Sequence, residues 1–208
     1  KVFAVESRVH GSRGIPGDWR NQKEHGGGMV LDWGIHILDQ MLMMTQPRKI
    51  VSIYAHLDFV TNENCDDGFH VEATFDDGLV YRAEVGTSNF ISLPRWYMLG
   101  ENGSATIKDW GLNGEIVMVS DWENRDAVPI IAGVGLTKTM APRTSDTIKH
   151  YPLEAVPGDW LEFYQNVCAC IRGEAEPLIT HDQQRRLIKL IEVIFESAEK
   201  NEVIKLEL

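Results

Sequence analysis

The stretch 25–45, HGGGMVLDWGIHILDQMLMMT, constrains this chain more than any other. Three consecutive glycines open it, and from Met29 it reads as one helix of about 17 residues, roughly 25 Å long. Met29, Val30, Leu31, Trp33, Ile35, Ile37, Leu38, Met41, Leu42, Met43 and Met44 leave almost no side of that helix polar. A helix that is apolar nearly all round is expected inside a protein. Yet Asp32, His36 and Asp39, spaced i, i+4, i+7, project from one face, within about 60° of each other. Charges carried into an apolar interior are costly unless they are paired or put to use. Three chemistries fit this polar line. It can be a general acid/base, with a carboxylate fixing the tautomer of the imidazole. It can hold a metal, a reading weakened because no second His lies at i+4. It can also be a polar cluster that satisfies itself, with Asp32 serving only the helix N-terminus.

The rest of the chain supplies a sheet for this helix. Strands are predicted over 2–9, 50–59, 69–75, 79–86, 95–99, 104–109, 115–121 and 147–153, with an edge strand over 203–208. Asp76-Asp77-Gly78 and Gly100-Glu101-Asn102-Gly103 are hairpin signals. A polar loop occupies 10–24, and 127–147 is irregular. Two helices close the chain, over 158–173 and 180–200, the second with Thr180 as N-cap and Asp182 in its first turn. Successive hairpins followed by helices predict an α+β fold, an open-faced and largely antiparallel sheet with helices on one face. The chain's 208 residues suit a single domain, 1–208. Ile53, Val71, Ala73, Phe75, Val80, Tyr81, Ala83, Val85, Ile107, Val117 and Val119 put apolar side chains on both parities. That pattern predicts a homo-oligomer built through the open sheet face.

Charge excludes some partners. With 20 Lys and Arg against 31 Asp and Glu, the formal net charge is −11, which argues against nucleic acid or an anionic membrane surface. No apolar run is long enough to span a membrane and no signal-peptide pattern opens the chain. Three cysteines without CxxC spacing read as reduced thiols of a cytoplasmic protein. The chain opens without Met, already in a strand pattern, as expected of the downstream part of a longer polypeptide.

Other candidates are weaker. Gly26-Gly27-Gly28 could present backbone N–H groups to an anion, or simply make a tight turn. Gly133-Val134-Gly135 starts like a dinucleotide fingerprint, but a third Gly and a following apolar helix are missing, so the chain has no Rossmann domain of its own. Arg20, in Asp18-Trp19-Arg20, suits polyhydroxyl or anionic ligands. His25 is near enough in sequence to line the same site. Trp96-Tyr97 and the Met41, Met43, Met44 cluster read as core.

Taken together, Asp18-Trp19-Arg20, Gly26-Gly27-Gly28 and Asp32-x-Gly34-x-His36-x-x-Asp39 resemble the C-terminal domain of the Gfo/Idh/MocA oxidoreductase family. Leu99-Gly100-Glu101-Asn102-Gly103-Ser104 is similar to that family's strand turn, and Glu196-Ser197-Ala198 to its closing helix. The resemblance runs over nearly the whole chain. It implies a sheet domain like the C-terminal domains of dihydrodipicolinate reductase and glyceraldehyde-3-phosphate dehydrogenase, one that carries substrate and builds a homo-oligomer. It also implies NAD or NADP, bound mainly by an N-terminal Rossmann domain absent here, and a sugar, cyclitol or related polyol as substrate. Under the resemblance, Asp32 and His36 are the catalytic pair, with His36 as acid/base. Arg20, Trp19 and His25 touch substrate, Asp39 supports from behind, and Gly27 and Gly28 approach the cofactor. No metal is implied. A lysine upstream of this chain would complete the site, so the isolated fragment is expected to be inactive. Family members that cleave glycosides through NAD, and non-catalytic sugar-binding or scaffolding relatives, are the alternatives. A metal-dependent hydrolase using Asp32, His36, Asp39 and His25 is a more distant one.

Overall fold

The computed structural model describes residues 1–125, 128–139 and 141–208. In chain order the elements are β1 (Val2–His10), α1 (Ile35–Thr45), β2 (Ile50–Asp58), β3 (Gly68–Phe75), β4 (Val80–Gly86), β5 (Trp96–Gly100), β6 (Gly103–Ile107) and β7 (Gly114–Val119). Then follow β8 (Ile130–Ala132), β9 (Gly135–Thr137), β10 (Ile148–Pro152), α2 (Trp160–Ile171), α3 (His181–Lys200) and β11 (Ile204–Lys205). Short turns at Trp19–Asn21 and Lys23–His25 precede a π-helical turn, Val30–Gly34, that runs straight into α1. The fold is α+β. Ala127 and Met140, within the stretch expected to be irregular, lie outside the described residues. Among the described residues no helix is long and apolar enough to cross a membrane.

The chain divides into two compact units, and β1 gives its first residues to one and its last to the other. In the unit made of Ser7–Leu93 and Glu154–Leu208, the ladder runs β4–β3–β2–β11, every pair antiparallel. Ile53 faces Ala73 and Ala73 faces Tyr81. The period-2 alternation of strands therefore puts Ile53, Val71, Ala73, Phe75, Tyr81, Ala83 and Val85 on one buried face. This corrects the expectation of apolar residues on both parities. Among these strands only Val80 of the expected set falls on the other face.

That other face is polar. His10 Nε2 lies 2.8 Å from Glu84 Oε1, Arg8 Nε donates to Glu84 at 3.2 Å, and His70 Nε2 is 3.3 Å from Asp58. The buried face is covered by α1 and by α3, which packs on β2. Leu38, Met41, Leu190 and Ile194 are fully enclosed. A capping box of Thr180 and Gln183 starts α3, and its Leu187, Leu190, Ile191 and Ile194 recur at helical spacing. Arg186 donates to the carbonyls of Arg48 and Leu208.

Two helices depart from expectation. The first is less buried than its composition predicts. Ile37, Leu38, Met41 and Leu42 are buried, but Leu31, Trp33, Met43 and Met44 are exposed, so of the expected methionine core only Met41 belongs to it. The second, α2, is capped by Asp159, yet none of its residues is buried, and Trp160, Phe163, Tyr164 and Ile171 stand in solvent. Only α1 and α3 cover the sheet of this unit.

The unit of Lys1–Glu6 and Pro94–Leu153 holds the antiparallel run β10–β7–β6–β5. Ile107, Val117 and Val119 are half-buried, as is Trp96, and Tyr97 is exposed rather than core. The Gly133-Val134-Gly135 segment closes the small β8–β9 hairpin, with Gly133 at φ 61°. Among the described residues no helix starts directly after it, which is why it cannot cradle a diphosphate.

Candidate functional site

The site is built on the N-terminal end of the helix, and glycines let it form. Gly28 sits at φ +108°, a conformation L side chains rarely adopt, and a Cβ there would run into the Asp66 carboxylate. A Cβ on Gly27 would run into the backbone of Arg20. The amide N–H of Gly27 donates to Gln22 O, and that of Gly28 donates to Arg20 O at 2.8 Å. An anion approaching these two glycines would find neither N–H free, so their service here is close approach of backbone to backbone.

Beyond the glycines the chain winds one π turn, in which the Gly34 N–H reaches back to Met29 O at 2.7 Å. Such wide turns often occur at functional sites. Here it matters because Asp32 lies in the π turn while His36 and Asp39 lie in the regular helix. The even 3.6-residue line predicted from sequence is therefore interrupted. Gly34 is buried against Phe69, with room for no side chain. Asp32 is half-buried and His36 and Asp39 are exposed, so the polar line faces outward rather than into the core.

Asp32 binds Arg20. The Arg20 Nε donates to Asp32 Oδ2 at 2.9 Å, and its Nη1 donates to Asp18 Oδ2 at 2.8 Å. Its backbone N–H also bonds Asp18, and its guanidinium lies 4.6 Å from the Trp19 ring. The Asp32 hydrogen bond, with the charges of Asp32 and Asp18 behind it, holds Arg20 above the usual guanidinium range despite some desolvation. The planar fork is thus fixed on three sides while remaining 30% exposed. Among the described residues Asp32 makes no hydrogen bond to His36. The His36 ring stands edge-on to Trp33, centroids 6.0 Å apart, and the residue is exposed. His25 and Asp39 are exposed, and no hydrogen bond or ion pair ties either of them to Asp32, Arg20 or His36. Among the described residues no group of three or more His, Cys, Asp or Glu could hold a metal ion.

Sequence reasoning missed Asp66. It is 5% exposed, and its Oδ2 accepts the Val30 N–H at 2.8 Å while its backbone O accepts Met29 N–H at 2.9 Å. Burial, opposed by these backbone hydrogen bonds and aided by the charge of Asp67, pushes its carboxyl up to about 6. The neighbouring Asp67 is instead held below the usual range by N–H groups of Thr61 and Val60 and by the Thr61 hydroxyl, although burial opposes this. The only sequence signal was two adjacent carboxylates before a strand, Asp66-Asp67-Gly68, in a stretch without helical or strand periodicity. Asp66 lines a cleft of about 700 Å³ together with Lys23, Leu31, His56, Cys65 and Glu199.

Comparison with known proteins shows which proteins the chain is similar to. The model of the GFO/IDH/MocA C-terminal domain matches residues 1–106. The chain is 26% identical over 199 residues to scyllo-inositol 2-dehydrogenase (NADP(+)) of Bacillus subtilis (strain 168), covering 91% of this chain and 52% of that protein. A crystal structure of an NAD-binding protein from Listeria innocua superposes with a TM-score of 0.89 at 44% identity, over 99% of this chain and 59% of that one. An aldose-aldose oxidoreductase from Caulobacter crescentus, complexed with glycerol, shares the fold at a TM-score of 0.69 and 18% identity, over 99% of this chain and 56% of that one. The chain thus spans about half the length of the curated relative it matches.

Proposed function

The chain belongs to the Gfo/Idh/MocA family of oxidoreductases, and on that footing we propose that it is the substrate-binding domain of an NAD(P)-dependent enzyme acting on a sugar, cyclitol or related polyol. The observation that carries the reading is a guanidinium clamped by Asp18, Trp19 and Asp32, with the uncommitted imidazole of His36 one helical turn further on. Arg20 presents fixed N–H donors to substrate hydroxyls. His36 takes the proton of a secondary hydroxyl when the alcohol is oxidised and returns it to the oxygen when the carbonyl is reduced. Asp32 serves by holding Arg20. The residues present do not fit a dinucleotide, because the Gly27 and Gly28 amides are spent within the turn and Gly133 closes a hairpin. Cofactor binding is assigned to a separate domain of the intact protein. The relatives' extra length supports this, as do the exposed apolar side chains Met43 and Met44 on α1 and Trp160 and Phe163 on α2.

The test is formation of reduced nicotinamide from the oxidised cofactor by the intact protein with a panel of inositols and aldoses. His36→Ala is expected to lower kcat by roughly 10²–10⁴, and an unchanged kcat at saturating substrate would refute the assignment. The same reading includes self-association through the open sheet face. The Arg8, Glu72, Arg82 and Glu84 charges on that face favour contacts that salt weakens. A monomeric mass by light scattering at low salt would rule this out.

A further inference from the structure

Two flanking segments, at Arg20 and Asp32, and one distant in sequence, at Asp66, meet at the turn formed by Gly28, Met29 and Val30. From one side the Gly28 N–H donates to Arg20 O, and from the other the Gly28 carbonyl accepts the Asp32 N–H at 3.0 Å. The two residues that close the site, Arg20 and Asp32, are therefore tied by backbone to a single glycine before their side chains ever meet. From beneath, Asp66 takes the next two N–H groups: its backbone O binds Met29 and its carboxylate binds Val30. These are among the orphan donors that every helix start must satisfy. Here they are satisfied by a residue 36 positions away, on the loop between β2 and β3. The same carboxylate occupies the place a Cβ on Gly28 would take.

We propose that Asp66 is a positioning residue for the site: by gripping the Gly28–Val30 turn it sets the placement of both Arg20 and Asp32 without touching substrate. The proposal rests on the reading of Arg20, Asp32 and His36 as the substrate site, but its geometry is independent of turnover. Asp66 is poised to be sensed. Burial pushes its carboxyl up to about 6, and protonation removes the charge that the Val30 N–H meets at Oδ2 and puts a hydrogen on a carboxyl packed against Gly28, weakening the grip. The ionisable groups around it are Asp67 and Cys65 in the same loop, and Lys23, His56 and Glu199 lining the same cleft.

The experiment has two arms. In ¹⁵N-labelled intact protein, the Val30 amide and the Arg20 Nε–H are both expected to shift with a common midpoint near pH 6. Both shifts should vanish in Asp66→Asn, which keeps an acceptor oxygen and removes the titration. If Val30 titrates and Arg20 does not follow, or if the Arg20 shift survives in Asp66→Asn, the proposal is overturned. In the turnover arm, Asp66→Ala is expected to lower kcat by about 10- to 100-fold while leaving the KM for the nicotinamide cofactor unchanged. Asp66→Asn, neutral like the protonated acid but still with an acceptor oxygen, should hold kcat at the level of the wild type's acid plateau, lose less than Asp66→Ala at neutral pH, and abolish the acid limb near pH 6. Equal losses in both variants would overturn positioning through the acceptor. Should the wild-type protein turn over no polyol at all, the functional reading falls, while the NMR arm still decides the role of Asp66, with Asp66→Asn sufficient where Asp66→Ala does not fold.

Discussion

Asp66→Asn should make this protein more stable at neutral pH. The native state raises the Asp66 carboxyl from an ordinary 3.8 to about 6, which means folding opposes its ionisation. Burial is the larger influence, and the Val30 and Met29 amides only partly offset it. Between pH 4 and 6 the folded chain holds a proton that the unfolded chain has already lost. Stability must therefore fall as pH rises through that window and level off above 6. Two powers of ten in acidity, at about 1.4 kcal/mol each, come to about 3 kcal/mol at pH 7. Asparagine keeps the shape and an acceptor for the Val30 N–H but has no charge to desolvate. It should recover most of that amount, roughly 6–12 °C in Tm for a chain of this size. The assay is thermal or urea unfolding of wild type and Asp66→Asn at half-unit steps from pH 3.5 to 8. The two curves should converge below about pH 4 and separate above 6, the variant on top. A variant less stable at every pH, or a difference that does not change with pH, would refute the reasoning. It would mean that the carboxylate's hydrogen bonds outweigh the cost of its burial.

Three further perturbations test the surroundings. Gly34→Ala pits a helix-propensity gain of about 1 kcal/mol against a Cβ placed 2.8 Å from Phe69 in a closed core. Overpacking of about 1–3 kcal/mol should win, with a lowered urea midpoint and a reduced kcat, and a stabilised variant would show that the core yields. Ser197→Ala removes the oxygen that accepts the buried Ala55 N–H at 3.0 Å and donates to Glu202 O at 2.7 Å. A loss of about 2–3 kcal/mol is expected by denaturant titration, since Ala55 has no water to turn to. Arg20→Lys keeps the charge but cannot bridge Asp18 and Asp32 with one planar fork. The KM for polyol should rise about tenfold at unchanged Tm, and an unchanged KM would detach Arg20 from substrate.

What the sequence determined by itself was whatever local chemistry decides. Turn signals at Asp77-Gly78 and Gly100–Gly103 placed the hairpins, the Thr180 N-cap placed the start of α3, and the spacing of Asp32, His36 and Asp39 drew attention to the helix start that Arg20 and Asp32 share. These are interactions among residues a few positions apart, and their cost and gain are settled within one turn of chain. The tertiary structure decided everything that depends on what lies opposite. A helix apolar all round carries no periodicity to say which side is buried, so only packing against the sheet could show that Met41 is core and Met43 is not. The partner of Asp32 is Arg20, twelve residues upstream, because a glycine turn folds the loop back. And Asp66, in a segment without pattern, becomes the support of the polar line that first marked the chain, because burial and two backbone donors 36 and 37 residues away act on it together.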